Sequence, residues 1–198
     1  MKIEEVQSQI GKAVREFAVK SLGMSASAPE ETGRRESEAI EHVCGTAISV
    51  GSAKYTDIRD SIIADHKKFM GKIKWELVSN PQVIKLYEEN ISSHHGNMNW
   101  DMTILSEQNP PQIVGAKEIN ESMTALLECV ALEKLFDVLG INLDRTQYYK
   151  TLETVEDKLG EFKKMTEQQA SLQDLTRSWL KTDRNPQTGS GLRGRAEK

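Results

Sequence analysis

Apolar residues recur at steps of three and four along most of this chain, the period of a helix with one buried side. In residues 2–22 the stripe is Ile3, Val6, Ile10, Val14 and Phe17, and Gly23 stands where a left-handed residue closes a helix. Residues 36–50 carry Ile40, Val43, Cys44, Ala47 and Ile48. They read as a helix ending at Gly51, against the β-branched Thr46 and Val50. Tyr55, Ile58, Ile62, His66, Phe69, Ile73 and Leu77 share one face and predict a single helix over 54–79. Asn80 ends it, because Pro81 disfavours α geometry in the residue before it. Pro81 in turn suits the first turn of a helix over 81–93, with Ile84, Tyr87 and Ile91 in line.

The second half has a different pattern. Residues 94–114 contain Gly96, several Asn and Pro110-Pro111, and read as a long loop with room for a short strand at Met102–Leu105. From Ala125 to Leu139 the segment 116–139 is apolar nearly all round. Such a helix is buried on most sides and belongs at the centre of the core, with Gly140 as its cap. Asp144 and Gln147 have the spacing of a capping box. A helix over 145–180 should follow, roughly 50 Å long at 1.5 Å per residue. Leu152, Val155, Leu159 and Phe162 step along it like a coiled-coil seam. Gln168-Gln169 interrupts the seam before Leu172, Leu175 and Trp179 resume it.

These elements predict an all-α protein: an irregular bundle of about six helices with one long loop, a long C-terminal helix and a disordered tail. The expected organisation is an N-terminal amphipathic helix at 1–22, a linker at 23–35 and a helical core at 36–143. The long helix at 144–181 and a basic tail at 182–198 complete it. Small polar residues set the linker apart, although Pro29-Glu30-Glu31 resembles a helix start.

Charge removes one class of function. The chain has 198 residues and a formal net charge of −4, so it is not a nucleic-acid binder over its whole surface. The tail is locally basic, with a net +3 over 181–198, which allows weak phosphate contact. No window reaches the roughly 18 apolar residues that a membrane span requires. The N-terminus, with Glu4-Glu5 and no apolar run, predicts no secretory signal. Cys44 and Cys129 are isolated residues in apolar runs, which favours small buried hydrophobes in a reduced, cytoplasmic setting over a disulfide framework.

Candidate chemistry is sparse. The chain has no phosphate loop, no dinucleotide fingerprint, no HExxH and no GxSxG, and no cofactor is expected. Glu38, His42 and His66 would approach a metal site if their helices paired, but the spacing matches no known ligand set. His66 sits beside Asp65 on an apolar stripe. A buried histidine with a hydrogen-bond partner accounts for it better than a general base does. His94-His95 suits a helix C-terminus. Trp75, Trp100 and Trp179, like the tyrosines, are not interleaved with basic runs and suit core or interface packing better than base stacking.

The expected function is therefore a non-enzymatic interaction or assembly role. Phe162, Met165, Leu172, Leu175 and Trp179 of the long helix would meet a protein partner or a second copy of the chain. Secretion adaptors, virion and phage structural proteins and assembly scaffolds share this architecture of amphipathic helices and polar linkers, but architecture alone does not fix function. The alternatives are a nucleic-acid accessory protein using the basic tail, and a helical-bundle enzyme or metal site near His42 and His66.

Overall fold

The computed structural model describes residues 2–49, 55–92, 101–104, 112–141 and 150–182. Among them are seven helices: α1 (Ile3–Leu22), α2 (Ala28–Ser49), α3 (Tyr55–Met70), α4 (Trp75–Val78), α5 (Pro81–Ser92), α6 (Ala116–Leu139) and α7 (Thr151–Thr182). A two-stranded ribbon, β1 (Asp101–Ile104) and β2 (Gln112–Gly115), precedes α6. The strands run antiparallel, with Asp101 opposite Gly115 and Ile104 opposite Gln112. The all-α reading holds, with the ribbon occupying part of the expected long loop. By contacts the chain divides into two units, residues 1–160 and 161–198.

In the first unit α6 is the hub, in contact with α1, α2, α3, α4, α5 and β2. Ala125, Leu126, Leu127, Cys129, Ala131, Leu135 and Phe136 are all buried, as expected of a segment apolar on every side. The glycine caps also stand where the sequence places them. Gly23 (φ 71°) ends α1, and Met24 N–H donates to Ala18 O at 3.0 Å. Gly140 (φ 68°) ends α6, and Ile141 N–H donates to Phe136 O at 2.9 Å. Both are the wrap that satisfies orphan carbonyls with one left-handed residue.

Two boundaries differ from the sequence expectation. The linker is shorter than 23–35, because α2 already begins at Ala28. Pro29 loses nothing in a first turn, where its missing N–H has no acceptor to meet, and Glu30 and Glu31 complement the helix dipole there. Arg34 grips Glu31 at 2.9 Å and Glu38 at 2.6 Å, while Arg35 meets Glu31 at 3.0 Å. Hydrogen bonds from Arg34 and then Arg35 hold the Glu31 carboxyl down to about 2. The helix expected over 54–79 is split. It stops at Met70, and the chain turns through Gly71 and Lys72 and re-forms one turn as α4. Ser122 Oγ of α6 accepts from Lys74 N–H at 2.7 Å, which holds the turn against the hub and lets Ile73, Leu77 and Val78 enter the core.

α1 and α2 cross closely at Gly33. A Cβ there would lie 3.3 Å from Gly11 O and from Val14 Cβ. Gly33→Leu is therefore expected to cost about 1–3 kcal/mol by overpacking. Gly33→Ala should stay near neutral, because gained helix propensity offsets the tight contact. Urea unfolding of the two variants checks this, and a leucine variant as stable as wild type would contradict the close crossing.

Candidate functional site

α7 continues past the first unit, and its residues differ on the two sides of Gly160. Thr151 and Val155 are buried and Leu159 packs on the core. Beyond Gly160, Met165, Leu172 and Leu175 are 53, 62 and 56% exposed. Phe162 and Gln169 are half-buried. Trp179 lies on α7 seven residues after Leu172, with its side chain outside the described residues.

Helical geometry makes a stripe of these positions. At about 100° per residue, Phe162, Met165, Gln168, Gln169, Leu172, Leu175 and Thr176 fall within an arc of about 140° that holds no charged residue from Phe162 onward, with Glu161 at its N-terminal end. Lys163, Lys164, Glu167, Asp174 and Arg177 all fall outside it. The hydroxyl on the stripe is satisfied internally, since Thr176 Oγ1 donates to Leu172 O at 2.9 Å. Such a hydroxyl needs no water and adds little desolvation cost to an interface. The face therefore combines three exposed apolar side chains with uncharged amides, a composition that suits a helix–helix seam.

The histidines do not converge. His66 is 1% exposed, and its Nε2 lies 3.0 Å from Glu133 Oε1 on α6. Its ring stands edge-on to Phe136, with centroids 6.1 Å apart. The Nε2 partner is thus a residue 67 positions away. The same Glu133 oxygen accepts the Thr151 N–H at 2.5 Å and the Thr151 hydroxyl at 2.6 Å. Because that oxygen already takes two donated hydrogens, Nε2 is the ring nitrogen that carries its own. One carboxyl thus meets the Nε2 side of a buried imidazole and the first N–H of α7, where a helix dipole favours it. This buried junction ties α3, α6 and α7 together. His42 is exposed on α2, beside Glu38, Glu41 and Thr46 around an open depression. Among the described residues no three His, Cys, Asp or Glu side chains are grouped to hold a metal ion. Both cysteines are free thiols, and burial pushes each up from its ordinary range.

A second buried polar group has no counterpart in the sequence reading. Glu36 of α2 is 8% exposed and shares a hydrogen bond with Glu128 of α6. Burial first, and then the neighbouring Glu128 charge, push the Glu36 carboxyl up to about 8. Burial also raises Glu128, against the pull of Lys72 and Lys68. Tyr87 of α5 bonds to Thr124 and Thr32, and burial lifts its phenol to about 12. The pair borders a cavity of about 80 Å³ between α2, α3 and α6, walled by Ile40, Cys44, Ile62, Phe69 and Leu132. A signal for it exists in the sequence, because Glu36 is in helical phase with Ile40 and Val43, and Glu128 interrupts the apolar run of α6.

His94-His95, Trp100, the Asp144–Gln147 capping box and the tail 183–198 lie outside the described residues. No helix among the described residues is long and apolar enough to cross a membrane. No protein-family model, curated protein or solved structure matches the chain.

Proposed function

We propose that this chain is a non-enzymatic interaction or assembly protein. It binds a helical partner, or a second copy of itself, through Phe162, Met165, Leu172, Leu175 and Trp179 of α7. The observation that carries this reading is the exposure of Met165, Leu172 and Leu175, each above half, on one arc of a helix that is free of charge from Phe162 onward. Burying the exposed half of each such side chain is worth about 1–1.5 kcal/mol, so three on one face supply a drive to associate. Helix-in-groove or helix–helix packing is the mode that such spacing serves. The two free cysteines support a reduced, cytoplasmic setting for this role.

Sedimentation across a range of concentrations tests the reading. The wild-type chain is expected to form a dimer or larger species, and Leu172→Lys with Leu175→Lys is expected to return it to a monomer with unchanged helical circular dichroism. A wild-type chain that stays monomeric at every concentration removes self-association. If immobilised wild-type and double-lysine chains then also capture the same proteins, the α7 stripe is not the interaction surface.

A further inference from the structure

We propose that Glu36 and Glu128 form a proton-operated latch between α2 and α6, closed while the pair holds a shared proton and opened, with release of the second half of α2, when that proton leaves. Three features of the fold support it. Glu36 is 92% buried yet faces another carboxyl, so the closed arrangement needs a hydrogen between them. The pair lines a cavity of about 80 Å³, so α2 is incompletely packed beside it. The two halves of α2 are also held unequally. Its first half is fixed by the close approach of Gly33 to α1 and by the Tyr87 bond to Thr32. In its second half Ile40 and Cys44 are only partly buried, Val43 is 47% exposed, and the side-chain tie to α1 is the Gln7 amide donating to Glu41.

The charges around the pair set the direction of the switch. α3 presents Asp65 and Lys68, and Lys72 follows in the next turn. Both lysines favour the charged form of Glu128, and Asp65 opposes it. α5 presents the Tyr87 phenol, α6 adds the Cys129 thiol behind Glu128, and the Cys44 thiol of α2 lines the same cavity. On α2 itself Arg35 is bound to Glu31, and on α1 Arg15 is bound to Glu30 at 2.9 Å. The lysines therefore make Glu128 the acceptor and leave Glu36 as the carboxyl that keeps the proton. Closed, Glu36 titrates at about 8; released into water it titrates near the ordinary carboxyl value of about 4. The closed form holds more protons between those limits. It is favoured toward acid, weakens as pH rises through neutrality, and changes no further above about pH 8.

Hydrogen exchange of the full chain, read by mass spectrometry from pH 5.5 to 8.5, tests the latch. After correction for intrinsic exchange chemistry, opening of residues 36–49 is expected to rise by up to about tenfold per pH unit and to level off near pH 8. Peptides of α6 should stay flat, and Glu36→Gln should flatten the α2 profile too, because the amide donates to Glu128 at every pH. A flat wild-type profile, an unchanged slope in the glutamine variant, or an equal slope in α6 overturns the proposal. Should Glu36→Gln fail to fold, Glu128→Gln decides. Removing the acceptor's charge is expected to move the end of the rise to lower pH, and an unmoved end point overturns the latch.

Discussion

Glu133→Ala is expected to lower the unfolding free energy by about 3 kcal/mol, although its side chain is 18% exposed. The loss comes from what the carboxyl leaves behind. His66 and Thr151 are 1% and 0% exposed, and both donate to the same Glu133 oxygen. Truncation strands the imidazole N–H and the Thr151 N–H and hydroxyl in places water reaches poorly. The Thr151 hydroxyl has Met70 Sδ at 3.6 Å as a weak substitute, so the cost falls short of three full penalties. Glu133→Gln keeps an acceptor oxygen and should lose only about 1 kcal/mol. Urea unfolding followed by circular dichroism separates the two variants. An alanine variant within 0.5 kcal/mol of wild type would show that water replaces the carboxyl, and the junction would then be incidental.

A loss of about 3–5 kcal/mol is expected for Phe136→Ala. Phe136 is wholly buried on α6, edge-on to His66, and α6 touches all five preceding helices. Removing the ring leaves a cavity beside His66 of α3 that the surrounding side chains fill only in part. Leu139, three residues on and 36% exposed, is the control. Leu139→Ala should stay within about 0.5 kcal/mol. Similar losses at both positions would show that α6 is not packed as the burial pattern indicates.

Much of this fold is legible in the sequence wherever a signal is local. Gly23 and Gly140 announce two helix ends because a left-handed cap needs only the residue itself. The central place of α6 follows from apolar residues on every side of one helix. The start of α2 is half legible, because Pro29-Glu30-Glu31 marks it while the Ser, Ala and Gly around it have the composition of a linker. What makes Gly33 tolerable in a helix is Gly11 on another element. The break at Gly71 is hidden for a related reason. Ile73 and Leu77 keep the phase of the preceding stripe, and the hydroxyl that holds the turn belongs to Ser122, far along the chain. The partner of His66 is 67 residues away, and no periodicity links them. The apolar stripe of α7 is readable from spacing, and the exposure of Met165, Leu172 and Leu175 agrees with it.

The order in which the hub is made has a consequence for biosynthesis. A ribosome delivers the chain from its N-terminus, so α6 emerges only after α1 to α5 have left the exit tunnel. α1 and α2 cover each other and can pair while translation continues, but Ile62 of α3 and Val83 and Ile84 of α5 depend on a helix not yet synthesised. The nascent protein therefore carries uncovered apolar faces for the time needed to add residues 93–139, a few seconds at about 5–20 residues per second. Through that interval its own core cannot shield those faces from water.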